Sequence, residues 1–360
     1  MSYSTPTERS AAPVRLALIG CGWIGAFHAR SIAGYLPGVE LAAIADPAPG
    51  AAAGLAGELG VPKYTLDAAD VLDDPDIDGV VIASPAAFHA DLITRAAAAG
   101  KHVFCEKPAG LTPDELEAAL AAVAQAGVEF QIGFNRRFST DFAEAKARTA
   151  RGEVGTPQLL RSLTRDPGTD AGLPHAGRIK PYTIFLETLI HDFDTLNWFN
   201  EGARVVEVRA IADALVAPEY KDAGLLDTAV VTLRYDNGAI AVAEANFNAL
   251  YGYDVRGEVF GSAGMVTAGN PVQKSVSGYG ADGMTAGTER LNIELFRDAY
   301  RDELGHFAQL IAARQGRGSA PGVAGPGAQA ARDALAVALA CIESVQTGAP
   351  VVMSRAETAR

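Results

Sequence analysis

Two short stretches of this 360-residue sequence combine side chains that can move a proton. In the first, the apolar run His102-Val103-Phe104-Cys105 stops at Glu106-Lys107-Pro108. Proline has no N–H to continue a ladder, so the run reads as a short buried strand that delivers Lys107 at its carboxyl end. In an open α/β sheet that end borders the ligand crevice. In the second stretch, residues 185–198, Glu187 and His191 stand four apart, on one face of a helical pattern that Asp194 continues. Leu186, Ile190, Phe193 and Asn197 mark a separate stripe. An acid one turn from a histidine can orient it and adjust its pKa, which proton transfer from a hydroxyl requires. Singly, each feature has a plainer explanation: lysine is mostly a surface residue, and an exposed i,i+4 pair contributes little. Their joint presence favours acid–base chemistry. No Cys/His spacing points to zinc, and no metal is expected.

The elements that must hold these residues begin with Val14-Arg15-Leu16-Ala17-Leu18-Ile19, a strand candidate that runs into Gly20-Cys21-Gly22-Trp23-Ile24-Gly25. Helix-compatible residues follow, Ala26-Phe27-His28-Ala29-Arg30. Strand, glycine turn and helix in that order form a dinucleotide fingerprint. Gly20 allows the tight turn, Gly22 lets the backbone approach a pyrophosphate, and Gly25 lets the helix pack closely. The phosphates then meet exposed N–H groups at the helix start. A second buried strand, Leu41-Ala42-Ala43-Ile44-Ala45, ends at Asp46, 21 positions after Gly25. An acid there accepts hydrogen bonds from ribose hydroxyls and repels a 2′-phosphate, and Pro47-Ala48-Pro49 supplies no arginine, so NAD is favoured over NADP. Capping a helix near Ala48 is the alternative role of Asp46. The alternation continues through helix 51–59, strand 79–83, helix 86–99, the strand ending at Lys107, helix 113–125 and strand 128–132. Such βα units imply a parallel, doubly wound sheet. Ser84-Pro85 falls at another strand end and should line the same crevice. His89, a turn further on, is either a cofactor contact or a packing residue. A tight turn after the strand would aim Lys107 inward, so a cis Lys107–Pro108 bond is expected.

Composition narrows the partners. The length favours two domains over one. A formal net charge of -13, with no Lys/Arg cluster, argues against a nucleic-acid footprint. Three widely spaced cysteines, Cys21, Cys105 and Cys341, fit core thiols in a reducing compartment. The first dozen residues lack an apolar signal core, and no apolar run reaches the roughly eighteen residues of a membrane span. The expectation is a cytoplasmic protein that acts on small molecules, with no nucleic acid and no membrane partner.

After Gly133-Phe134-Asn135-Arg136-Arg137-Phe138 and a helix over 141–151 the rhythm changes. Strands are expected at 158–164, 205–211, 228–235, 239–247, 255–260 and 265–268. Asp236-Asn237-Gly238 is a hairpin signal, and Gly261-Ser262-Ala263-Gly264 marks another turn. One face of this sheet is apolar enough to pack on helices or on a second subunit. Segments 166–181 and 271–288 read as loops near the mouth of a site, and helices over 291–314 and 328–347 close the chain. The expected fold is α/β: an N-terminal Rossmann doubly wound parallel sheet over 1–135, plus a C-terminal α+β domain over 136–360 with an open, mainly antiparallel sheet.

Together the glycine fingerprint, Glu106-Lys107-Pro108 and Ile190-His191-Asp192-Phe193-Asp194 resemble the Gfo/Idh/MocA oxidoreductases over nearly the whole chain. Within that family the sequence is most similar to the inositol 2-dehydrogenases. That likeness rests on residues 133–138, Asp227-Thr228-Ala229-Val230-Val231, Tyr251-Gly252-Tyr253-Asp254-Val255-Arg256 and Glu258-Val259-Phe260-Gly261-Ser262. The resemblance implies NAD-dependent oxidation of a ring hydroxyl of a cyclic polyol or sugar, and a homo-oligomer, tetramer or dimer, formed through the open sheet. It also implies that Lys107 holds substrate and cofactor and that His191 is the general base. Inositol dehydrogenases carry aspartate where this sequence has Glu187, a basic stretch near Ala245-Asn246-Phe247-Asn248, and glycines near Thr183-Ile184. Those departures keep a pyranose, anhydrosugar or glycoside 3-dehydrogenase open as the alternative, with a non-catalytic nicotinamide-binding protein more distant. The candidate catalytic set is Lys107, His191 and Glu187. The candidate cofactor set is Gly20, Gly22, Trp23, Ile24, Gly25, Asp46, Ser84, Pro85, His89, Glu106, Lys107, Asn135 and Arg136. The candidate substrate set is Lys107, Asp166, Glu187, Thr188, His191, Asn248 and Tyr251.

Overall fold

A computed structural model of the chain describes residues 12–168, 180–281 and 283–353. Strands β1 (Val14–Ile19), β2 (Val39–Ala45), β3 (Lys63–Thr65), β4 (Gly79–Ile82), β5 (His102–Cys105) and β6 (Phe130–Ile132) are joined by helices. These are α1 (Trp23–Tyr35), α2 (Ala51–Leu59), α3 (Ala68–Leu72), α4 (His89–Ala98) and α5 (Pro113–Ala126). Then follow α6 (Thr140–Ala150), β7 (Pro157–Arg165), a π-helical turn Ile184–Leu189, α7 (Ile190–Phe199), β8 (Val205–Asp213), β9 (Thr228–Tyr235) and β10 (Ile240–Asn246). The chain ends through β11 (Asp254–Gly261), β12 (Met265–Ala268), β13 (Ser277–Gly280), β14 (Gly283–Ala286), α8 (Asn292–Leu295), α9 (Arg297–Arg314), α10 (Ala328–Thr347) and β15 (Val351–Val352).

The first six strands form one sheet in the order β3-β2-β1-β4-β5-β6. β1 pairs in parallel with both β2 and β4. The strand order reverses between β1 and β4, which puts a ligand crevice at their carboxyl ends. Burial explains the sequence pattern: β4 is buried throughout, and β1 everywhere except at the half-buried Arg15, because helices cover both faces of a parallel sheet. β3 and α3 were not expected from sequence; Lys63-Tyr64-Thr65 is too short and polar to stand out.

Two compact units result. The first comprises the chain up to Glu106 with Ala119–Gln131 and Arg301–Gly325; the second comprises Lys107–Ala118, Ile132–Tyr300 and the chain from Pro326. A single cut in the sequence does not reproduce them, because α9 supplies Leu304, Phe307, Ala308 and Ile311 to the core around Leu16, Leu18, Ile44, Val81 and Phe104. The Phe104 and Phe307 rings lie 6.0 Å apart.

The second unit is built on a seven-stranded sheet in the order β12-β11-β7-β10-β9-β8-β15. Its β10–β7 pair is parallel, and its other five pairs are antiparallel. β9 alternates strictly, with Ala229, Val231, Leu233 and Tyr235 buried and the residues between them outward. Helix α10 packs on β8 and on α7. One sequence expectation changes here. Segment 271–288 contains the β13–β14 hairpin; Ser277-Gly278-Tyr279-Gly280 lacks the alternation that would reveal a strand. Most of the other expected loop, 169–179, lies outside the described residues.

Phe307→Ala should cost about 3 to 5 kcal/mol of first-unit stability, as for large aromatics removed from a core. Urea unfolding followed by circular dichroism measures it, and an unchanged midpoint would detach α9 from this core.

Candidate active site

The glycine turn follows β1 directly. Gly20 has φ +102°, a conformation that L side chains avoid, and a Cβ there would sit 2.6 Å from Ser84 N at the end of β4. At Gly25 a Cβ would run into the Gly20 carbonyl oxygen. Around Gly22 a Cβ would meet nothing within 4 Å. So two glycines close the turn on itself, and the third leaves open space at the start of α1. That helix has neither a side-chain cap nor an acid in its first turn, so its N–H groups and positive dipole end are open to an anion. Trp23 is exposed beside them and Ile24 is half-buried.

Asp46 leaves β2 and turns back: its Oδ2 accepts from Cys21 N at 2.6 Å and its Oδ1 from Ala48 N at 2.8 Å. It does not cap α2, whose N-cap is Gly50. Burial and the adjacent Asp46 carboxylate push the Cys21 thiol up to about 12, which makes Cys21 a poor nucleophile. Ser84 Oγ is buried with no hydrogen-bond partner among the described residues, and Pro85 is exposed. A buried hydroxyl without a partner suits a ligand. Together the bare helix end, the open Gly22 and the Ser84 hydroxyl fit a dinucleotide. His89 and Glu106 point elsewhere. His89 is buried and its Nε2 donates to Ser84 O at 2.7 Å, bracing the strand end. Glu106 is buried and accepts from His28 Nε2 at 2.8 Å.

The residues expected from sequence to do proton chemistry lie in the second unit. The Lys107–Pro108 bond is cis. Lys107 Nζ donates to the Glu187 carbonyl oxygen at 3.1 Å. Glu187 sits in the π-helical turn, where i→i+5 bonding widens the helix, so a four-residue spacing no longer stacks Glu187 over His191. Its side chain is exposed, and no hydrogen bond joins it to His191 among the described residues. The expected acid-oriented histidine is therefore corrected: what reaches Lys107 is the Glu187 backbone. Tyr182, just before this turn, has φ 61°, an uncommon value for a residue with a side chain and one that clusters near functional sites. His191 packs edge-on to Phe134, with ring centroids 6.0 Å apart. The residue keeps a partly exposed edge, but its Nδ1 is buried and has no partner among the described residues. Burial holds its pKa well below the usual histidine value, and the Lys107 and Arg136 charges push the same way. The imidazole is neutral, as a general base must be.

Other expected residues have structural partners. Arg136 is buried and engaged by Asp192 at 2.8 Å and by Thr164 Oγ1 at 2.6 Å, so its guanidinium is not presented to a ligand. Asn135 beside it is buried too. Asp194, expected to extend the reactive face, instead pairs with Arg137 at 2.6 Å. Asp166 accepts from Gly168 N at 2.8 Å, and burial raises its pKa. Tyr251 donates to Asp254 at 2.7 Å, Asn248 is exposed and Thr188 is half-buried. Sequence reasoning gave Tyr253 no role. Burial, then the nearby Asp166, push its phenol above its usual range. Its signal lay within the Tyr251–Arg256 motif already singled out.

The N-terminal model of the GFO_IDH_MocA family, an oxidoreductase family with an NAD-binding Rossmann fold, matches residues 14–134, and the family's C-terminal domain model matches 142–267. The chain belongs to this family. It is an oxidoreductase that uses NAD. Among relatives, the Bacillus subtilis oxidoreductase YrbE is 38% identical over 94% of this chain and 96% of its own. The scyllo-inositol 2-dehydrogenase (NAD(+)) of B. subtilis is 36% identical over 83% of this chain and 86% of its own. A crystal structure of scyllo-inositol dehydrogenase from Lactobacillus casei, with bound NAD(H) and scyllo-inositol, superposes with a TM-score of 0.88 at 30% identity, covering 94% and 99% of the two chains.

Gly25→Ala should abolish NAD binding, because the new methyl meets backbone that cannot yield. Titration calorimetry tests this, and an unchanged Kd would refute the assigned turn geometry.

Proposed function

We propose that this oxidoreductase is a cyclic-polyol dehydrogenase, with an inositol as substrate, and that Lys107 and His191 form its catalytic pair, with Glu187 serving through the backbone carbonyl that holds Lys107. The observation that carries the reading is His191: a neutral imidazole with a buried nitrogen that has no partner among the described residues, close enough to Lys107 to feel its charge. A substrate hydroxyl would satisfy that nitrogen and hand it a proton. Lys107, held by the Glu187 carbonyl, would orient the hydroxyl oxygen and stabilise negative charge developing there. NAD, when bound, accepts the hydride from the carbinol carbon, so the alcohol loses one hydride and one proton and becomes a ketone. Phosphates would be met at Gly20, Gly22, Trp23, Ile24 and Gly25, ribose at Asp46, and the remainder of the cofactor at Ser84 and Pro85. Asp166, Thr188, Asn248 and Tyr251 would present polar groups to the ring hydroxyls. The inositol dehydrogenases among the relatives support the substrate class.

We further infer a cytoplasmic homo-oligomer. Ile240, Leu159, Phe260 and Met265 are register partners on adjacent strands β10, β7, β11 and β12, and all are exposed. Ile211 and Val230 form a second exposed pair on β8 and β9. An exposed apolar strip across four adjacent strands, with a second exposed pair on the same sheet, suits a second copy.

Lys107→Ala is expected to bind NAD normally and to lose turnover of myo- and scyllo-inositol at least a hundredfold, read from nicotinamide absorbance beside a pyranose panel. Near-normal turnover would remove Lys107 from the site, and turnover of pyranoses alone would shift the substrate to that class. Because His191 is depressed below its ordinary value of about 6.5, it stays unprotonated at lower pH. The acid limb of kcat/KM should therefore begin below that value, and a limb at or above it would exclude His191 as the base.

A further inference from the structure

Within the first unit, His28 on α1, Glu106 at the end of β5 and Glu303 on α9 converge. One ring nitrogen and one oxygen from each acid lie within 4.8 Å of one another. All three residues are buried, His28 and Glu303 completely. His28 Nε2 donates to Glu106 Oε1 at 2.8 Å. Neither oxygen of Glu303 has a hydrogen-bond partner among the described residues. Gln131 Nε2 donates to the Glu303 carbonyl at 2.8 Å and fixes the backbone behind it. Two carboxylates this close in a dry interior do not both ionise; one keeps its proton and offers it to the other. Glu106 already accepts from His28, so it is the better anion.

We propose that Glu303 is a carboxylic acid that donates its O–H to Glu106, and that this Glu303–Glu106–His28 chain is a positioning device for the carboxyl end of β5, where the next residue is Lys107. Its members come from the helix that follows the glycine turn, from the strand that delivers the lysine, and from α9. Among the described residues, the titratable groups facing Glu303 are Glu106 just after β5 and His28 from α1, and Cys105 beside Glu106 is itself held protonated by burial. Burial, then the Glu106 charge, hold Glu303 well above the usual carboxylate range. The folded state therefore loses stability relative to the unfolded one as pH rises above about 4.3, the ordinary glutamate value, toward that raised value.

Infrared spectra of the whole protein at neutral pH should contain a carboxylic-acid carbonyl band that Glu303→Gln removes. Thermal unfolding should give a Tm gap in favour of Glu303→Gln that widens with pH. Glu303→Gln keeps a donor toward Glu106 and should retain kcat within about threefold, whereas Glu303→Leu should lower kcat about a hundredfold with the Kd for NAD nearly unchanged. The kinetic arm rests on the dehydrogenase reading, and the spectroscopic and unfolding arms do not. Absence of the band, a Tm gap independent of pH, or equal activity of the two variants would overturn the proposal. So would a stoichiometric divalent metal in the purified protein that Glu303→Gln loses.

Discussion

One buried carboxylate holds the second unit's candidate site in place. Asp192 is fully buried, a condition that costs several kcal/mol per ion unless it is met by donors. Arg136 meets it at 2.8 Å, Ser162 Oγ at 2.5 Å and Thr164 Oγ1 at 2.7 Å. Those donors come from the turn before α6 and from β7, so a single side chain ties α7 to the sheet. Asp194 repeats the device with Arg137, whose guanidinium lies 5.5 Å from the Trp198 ring centre. With its two acids engaged inward, the helix leaves His191 as the ionisable group at its start whose buried Nδ1 has no partner among the described residues. A neutral imidazole there follows from low dielectric and neighbouring positive charge.

In the first unit the matching constraint is steric. The turn after β1 passes so close to the end of β4 and to its own helix that only hydrogen fits at Gly20 and Gly25. Space is left at Gly22, where backbone N–H groups collect at a helix end. Asp46 closes the arrangement by accepting from Cys21 N, so the acid that would read the ribose also braces the turn that would read the phosphates.

Several features were legible because their physics is local. Buried parallel strands read as apolar runs, the glycine spacing carries its own steric logic, and strict alternation announced β9. Others were not. The π-helical turn at Ile184–Leu189 has no composition signal, yet it dissolves the Glu187–His191 pairing that an ordinary helix would give. Nor does sequence tell which arginine is presented to a ligand and which is buried against an acid: Arg136 read as a cofactor residue and is an internal cation. The β13–β14 hairpin escaped notice because glycines replace the alternating apolar residues that usually mark a strand.

The sequence by itself determined the Rossmann pattern, the mainly antiparallel second sheet and the preference for NAD, and it singled out Lys107 and His191 as candidates, because each depends on residue type at short spacing. Tertiary structure decided what long-range contact alone can set. It brought α9 back onto the first core some 200 residues after that core's last strand, turned Glu106 inward to His28, and set the Glu187 backbone carbonyl against Lys107. Burial and neighbouring charge are properties of that packed arrangement, and they fix which histidine is neutral and which glutamate shares a proton.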